Sequence, residues 1–191
     1  MKLHLEKSAL RAMGIAECYF PNSKKSTLCS VVMRSDLVVD GSMYGESTVG
    51  GDDITESISL MYDKMGRDDI NCIMILGSIM SSYNVVDLNF LSNLINLPII
   101  SVSLKPPKNL ENNFKVKYPN SWNKKLKTYT KNGISQKINI KTEYFAYIQF
   151  SGISLSDTKK ILDKFTLQGS VPEPLRLAKL FARAKVIKSV S

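Results

Sequence analysis

Ten lysines stand between residues 105 and 141: Lys105, Lys108, Lys115, Lys117, Lys124, Lys125, Lys127, Lys131, Lys137 and Lys141, against the single acid Glu111. Phe114, Tyr118, Trp122 and Tyr129 are interleaved with them. Ammonium groups neutralise phosphates without reading sequence, and aromatic rings stack on unpaired bases, so this composition suits a sequence-tolerant nucleic-acid surface. Lys105, Lys108, Trp122, Lys124, Lys125 and Lys127 are its candidate contacts. A solvated loop in a Lys-rich protein has the same composition, and both readings stay open. The basic character belongs to the C-terminal half: residues 105–191 carry 18 Lys+Arg against 5 Asp+Glu, whereas residues 1–104 carry 8 against 12.

Other reactive residue types are scarce. His4 is the one histidine, which leaves no partner for Ser-His or Cys-His catalysis or for a His-rich zinc centre, and it reads as a surface residue. Cys18, Cys29 and Cys72 are odd in number and far apart, so they read as buried free thiols rather than disulfides or a CxxC site. "VGGDD" lacks the Lys-Ser/Thr of a phosphate-cradling loop. The basic, amphipathic "PEPLRLAKLFARAK" places Leu175, Ala178, Phe181 and Ala184 at the spacing of a packed helix rather than a membrane-surface one. Carboxylates remain as the chemistry-bearing class, because a hard divalent cation takes oxygen ligands.

The elements that must position these groups follow from periodicity. "RAMGIAECYF", "TLCSVVMRS" and "DLVVDGSMYGEST" read as three strands joined by turn signals, an antiparallel meander. From Asp53 the apolar period lengthens through Ile54, Ile58, Leu60, Met61 and Met65, predicting a helix capped by Asp53 or Thr55. "INCIMIL" and "LPIISVSL" read as buried strands with a helix over Asn84–Ile95 between them, "EYFAYIQFSG" as a last strand, and "SLSDTKKILDKF" and "PEPLRLAKLFARAKVIK" as closing helices. The result is a mixed α/β arrangement, a three-strand meander followed by alternating strands and helices. The chain's 191 residues, 43% of them hydrophobic, suffice for one core and one domain, with a Lys-rich loop or hairpin insertion over Tyr118–Lys141. No apolar run reaches the roughly 20 residues of a membrane span, and the N-terminus does not read as a signal peptide, so a cytoplasmic protein without membrane association is expected.

Four segments, "MGIAECYFP", "VVDGSMYGESTVGGDDITESI", "ILGSIMSSYNVVDL" and "YIQFSGISLSDTKKILDKFTLQGSVPEPLRLAKLFARA", together resemble the archaeal endonuclease dU family, relatives of endonuclease V with a ribonuclease H-like fold. The match is densest over Tyr144–Ala184, where "SGISL", "GSVPEPLRLA" and "ARA" occur in order, and it fades over Asn109–Lys141. The resemblance implies a DNA-repair hydrolase that cleaves phosphodiesters with Mg²⁺ or Mn²⁺ held by Asp and Glu. At the positions where it implies acids, this chain has Ala16 beside Glu17, then Gly50, then Leu76. Glu17, Asp40, Asp53, Glu56 and Asp87 remain nearby. Asp53 suits a helix cap, Asp40 before a glycine suits a turn, and Asp87 suits a helix start. In a regular strand, Glu17 points to the face opposite residue 16.

The reading that follows is a single endonuclease dU-like domain that has lost most metal-dependent cleavage and kept a nucleic-acid surface, with DNA the expected partner. One alternative is an active Mg²⁺- or Mn²⁺-dependent endonuclease acting at deoxyuridine or other damaged bases. Glu17 and Asp53 would then be its catalytic and metal-binding acids. A further alternative is a regulatory domain whose basic half docks an acidic protein.

Overall fold

The computed structural model describes residues 10–106 and 108–188, and His4 lies outside them. Strands β1 (Arg11–Cys18), β2 (Lys25–Arg34) and β3 (Val39–Thr48) form the antiparallel meander. Helix α1 (Ile54–Met65) follows and stops where Gly66 takes a left-handed φ of 61°. Next come β4 (Cys72–Ile75), the short strands β5 (Ile79–Met80) and β6 (Asn84–Val85), helix α2 (Leu88–Ile95) and strand β7 (Ile99–Ser103). Helices α3 (Leu110–Lys117) and α4 (Trp122–Lys131), strands β8 (Gln136–Asn139) and β9 (Phe145–Ser151), and helices α5 (Leu155–Phe165) and α6 (Glu173–Lys188) complete the chain.

The main sheet has seven strands in the order β3-β2-β1-β4-β7-β9-β8, parallel only where β4 meets β1 and β7. It is a mixed α/β sheet of the expected class, and period-two alternation divides its residues between two faces. Met13, Ile15, Leu28 and Val32 pack with Ile54, Ile58, Leu88 and Leu91 of α1 and α2. On the other face Ala12, Met33, Cys72, Met74 and Ile148 meet Ile161, Leu162 and Phe165 of α5 and Leu175 of α6. Each such fully buried large side chain contributes about 1.5–3 kcal/mol. Helix α6 lies close on β1 because the strand presents small residues there: a Cβ on Gly14 would stand 2.5–2.7 Å from Pro174 atoms.

Two sequence expectations change. The segment Asn84–Ile95 is not helical throughout: Asn84 and Val85 pair with Met80 and Ile79, and α2 starts only at Leu88. Asp87 decides that start, its carboxylate accepting from Phe90 N–H at 2.9 Å. The region Tyr118–Lys141, expected as a loop or hairpin insertion, instead holds α4 and the edge strand β8. Between the turn at "YPNS" and Gly133 (φ 80°) the chain has neither Gly nor Pro, and Lys and Leu are good helix formers, so a helix forms despite the charge density.

Candidate functional site

At the ends of β1 and β4, hydrocarbon stands at the positions where the resemblance implies acids. Ala16 is fully buried with Cys29 and Val31 of β2 and Ala178 and Ala182 of α6. Leu76 packs partly buried against the same cluster, and its N–H donates to Ile15 O at 3.0 Å. The alternation of Ala12, Gly14 and Ala16 on one strand face thus serves helix packing.

The third position is closed by a different device. Gly50 has φ +74°, and a Cβ there would collide with the ring and hydroxyl of Tyr118. Lys125, whose exposure is only 2%, donates from Nζ to Gly50 O at 3.1 Å, Gly51 O at 2.6 Å and Asp52 Oδ1 at 2.8 Å. Its ammonium also lies 4.9 Å from the Tyr118 ring centroid. Burial alone would raise the Asp52 pKa, but hydrogen bonds from Lys125 and Lys124 outweigh it and hold the carboxyl below its ordinary range. Lys125, expected among the phosphate contacts, is therefore corrected to an internal cation, because its charge is already consumed by three protein oxygens.

The two acids that could have served a rearranged site are engaged in hydrogen bonds as well. Glu17 Oε1 accepts from Ser81 N–H at 2.6 Å, and Oε2 accepts from the hydroxyls of Ser81 at 2.5 Å and Ser26 at 2.7 Å. Asp53 accepts from Thr48 N–H at 3.0 and 3.1 Å, from the Thr48 hydroxyl at 2.7 Å and from Asn84 Nδ2 at 2.6 Å. Burial would raise its pKa too, yet the Thr48 and Asn84 hydrogen bonds prevail and lower it. Asp53 is the N-terminal flanking residue of α1 but makes no side-chain cap bond, because its oxygens turn back to β3 and β6. Both carboxylates thus pin the β5–β6 hairpin, where Ser81, Ser82 and Tyr83 all take positive φ (44°, 57° and 70°). Such residues cost on the order of 1–3 kcal/mol each, and the surrounding hydrogen bonds must offset that.

Asp40 and Asp87 lie elsewhere. Asp40 accepts from Arg11 Nε at 2.5 Å and Arg67 Nη2 at 2.8 Å, and Arg67 also binds Asp69, making a four-member ion network. Arg11 begins β1, so at 3.2–3.4 Å per residue this network is about 20 Å from Glu17. Asp87 caps α2. Among the described residues, no group of three or more His, Cys, Asp or Glu side chains is placed to hold a metal ion. With Ala16 walled in, Gly50 covered by Tyr118 and Glu17 and Asp53 turned to protein donors, the residues present do not fit the divalent ion that the resemblance implies. Two of the thiols offer no substitute nucleophile, since burial pushes Cys29 to about 11 and Cys72 to about 12, whereas Cys18, expected to be buried, is only partly so.

On the Lys-rich side, Lys105, Lys108 and Lys127 are exposed. Lys124 is 69% exposed and pairs with Asp52 at 2.9 Å. Trp122 is half-buried, with Lys115 Nζ 4.4 Å from its ring centroid, so a cation already covers one face of the expected stacking ring. The aromatic residues also join α3 to the hairpin: the Tyr83 ring meets Phe114 and Tyr118 edge-on at 5.4 and 6.2 Å, and Tyr118 OH donates to Ser82 O at 2.9 Å. Beside this contact a cleft of about 610 Å³ opens between Tyr19, Val49, Ser82 and Lys117. Sequence reasoning missed Ser81 and Asn84, because "SSYN" has neither helical nor strand period and their roles arise from contacts distant in sequence; it named Tyr118, but as a ring among the lysines rather than as the cover of Gly50.

A profile of the endonuclease dU family matches residues 8–186. A UPF0215 protein of Pyrobaculum calidifontis is 28% identical over 170 residues, covering 89% of this chain and 93% of that protein. A UPF0215 protein of Methanothermobacter thermautotrophicus is 30% identical over 181 residues, covering 92% and 87%. Among solved structures, a protein of unknown function from Archaeoglobus fulgidus matches with TM-score 0.80 at 24% identity, covering 93% of this chain and 98% of that one. Endonuclease V of Ciona intestinalis, solved with DNA containing an inosine, matches with TM-score 0.63 at 16% identity over 96% and 88%. The chain therefore has the ribonuclease H-like fold that its motifs imply.

Proposed function

The chain belongs to the endonuclease dU family, and from that premise we propose that it is a single-domain nucleic-acid-binding member whose metal-dependent cleavage is degraded or lost. The observation that carries this reading is the filling of the three acid positions. Ala16 is sealed under α6, Leu76 joins the same apolar cluster, and Lys125 and Tyr118 close over Gly50. Activation of a water by a metal is disfavoured through these residues, because the neutral side chains supply no ligand and Glu17 and Asp53 already serve protein donors.

Binding is assigned to the exposed lysines. Lys105, Lys108, Lys124 and Lys127 act as point charges on phosphates, and the endonuclease V likeness supports DNA as the ligand class. Four phosphate contacts on duplex DNA give a log–log salt slope of about −3 to −4.

The test is incubation with uracil-containing DNA in Mg²⁺ or Mn²⁺, with nicking followed on a denaturing gel and binding followed by anisotropy across a salt series. The expected outcome is binding that falls with salt and no nicking. Cleavage that disappears on Glu17→Gln or Asp53→Asn overturns the proposal and establishes an active endonuclease with a rearranged site. Absence of binding at low salt overturns the other half and favours a protein partner for the basic face.

A further inference from the structure

A groove of about 550 Å³ lies where α4 ends and β8 begins, walled by Tyr129, Tyr147, Ile134 and Pro106, with Lys137 at its side. Its size falls within the roughly 300–1,000 Å³ of small-ligand sites. Two walls stand on regular structure: Tyr129 is in α4, while Tyr147 pairs with Lys137 of β8 and with Ser103 of β7 in the main sheet. The chain reaches the groove through Gly133, at φ 80°.

Three features of these walls are unexplained by folding. Ile134 is 88% exposed, an apolar side chain with no packing role. Neither the Tyr129 nor the Tyr147 hydroxyl has a hydrogen-bond partner among the described residues, and neither is a buried unsatisfied atom, so both are open to water or to a ligand. Burial also raises the Tyr129 pKa, which keeps its phenol protonated and a donor. The groove thus combines aromatic faces, an apolar rim and two free phenols, a set complementary to a flat ring with polar edges. No carboxylate lines it, and Lys137 lines it with Lys131 and Lys105 adjacent in sequence to Thr130 and Pro106 of its wall, so the charge favours an anionic ligand.

Deepening the nucleic-acid reading and resting on it, we infer that this groove receives an unpaired nucleobase between or against Tyr129 and Tyr147, with its flanking phosphates on the neighbouring lysines. A base inside a duplex is stacked on both faces and cannot enter. The Lys-rich face therefore binds phosphate generally, while the groove adds preference for single strands. The stacking role moves from Trp122, already covered by Lys115, to the tyrosine pair.

The experiment compares anisotropy of a mixed-sequence single-stranded oligonucleotide and a duplex of equal length, for the parent, Tyr129→Leu/Tyr147→Leu and Ile134→Ser. Ile134→Ser is so exposed that folding is not at issue. The double variant should weaken single-strand binding on the order of tenfold or more and leave duplex binding within about twofold. Ile134→Ser should move in the same direction by less. As a positive readout, an oligonucleotide carrying 5-iodouracil should photo-crosslink to Tyr129 or Tyr147, located by peptide mass spectrometry. Equal single-strand binding by parent and both variants, or crosslinks confined to Trp122 or Tyr118, overturns the groove and leaves the general binding proposal standing. A parent that binds neither oligonucleotide overturns both.

Discussion

Adjacent lysines on α4 have opposite fates: Lys124 is 69% exposed while Lys125 is 1% exposed at its side chain. They mark the boundary between two regions built on contrary principles. At the ends of β1 and β4 and in the turn after β3 the buried charges are matched, Lys125 by three oxygens and Glu17 and Asp53 by hydroxyl, amide and backbone donors. On β8, the segment after β7 and α4 apart from Lys125, charges project into water. A site that holds a metal needs carboxylates whose oxygens are left available by the protein. In this chain the available charges are cationic and lie on the other region, which suits attraction of phosphate rather than its hydrolysis.

The largest break in this comparison should come from putting an acid back where hydrocarbon now sits. Ala16→Asp buries a carboxylate among Cys29, Val31, Ala178 and Ala182, and should destabilise by more than about 4 kcal/mol. Adding Gly50→Asp and Leu76→Asp should worsen it, and melting should be equal in Mg²⁺ and in chelator. A Mg²⁺-dependent rise in Tm of the triple variant would mean that the three positions still converge. Next in size, Lys125→Met leaves Asp52 Oδ1 and two carbonyls without their shared donor, Lys124 still serving Asp52 Oδ2, and should cost about 2–3 kcal/mol. Urea unfolding should register it as a lower midpoint with an unchanged slope.

The open region should respond in binding rather than stability. Lys105→Glu, Lys108→Glu and Lys127→Glu together should weaken duplex binding tenfold or more at low salt with little change in Tm. A triple variant that binds as well as the parent removes this face as the interface.

The fold was legible where a single period governed the segment. The meander, β4, β7, β9, α5 and α6 all follow from apolar runs or alternation, and the positions of Ala16, Gly50 and Leu76 could be read from motif resemblance. Helix α4 was hidden because its buried face is made by a lysine, a residue that composition assigns to water. The Ser81–Tyr83 turn was hidden because its left-handed residues are not glycines, and the groups that hold it, Glu17, Ser47, Gly50 and Tyr118, are far away in sequence. The resemblance could thus imply which acids are absent, but not that the neighbouring acids are already committed to hydrogen bonds.

Smaller effects sharpen that last point. Asp53 has a pKa lowered from its ordinary 3.8, so its stabilisation is fully present above that value and is lost as pH falls through the lower folded value. Stability of the parent should therefore be flat in this respect between neutrality and about pH 4 and decline below it, and Asp53→Asn should flatten part of the decline. Denaturation midpoints from pH 2.5 to 7 check this. The smallest effect belongs to Trp122→Ala, which loses a cation–π contact worth about 0.5–1 kcal/mol and should leave single-strand binding within a fewfold of the parent.

The central claim, that the strand-end acids have been replaced by packing and hydrogen bonds, is tested most directly by calorimetric titration of the folded parent with Mn²⁺, alongside Glu17→Gln and Asp53→Asn. The account predicts no saturable stoichiometric binding in any of the three, with heats equal to dilution into buffer. A one-to-one site in the parent that vanishes in Glu17→Gln or Asp53→Asn would contradict it.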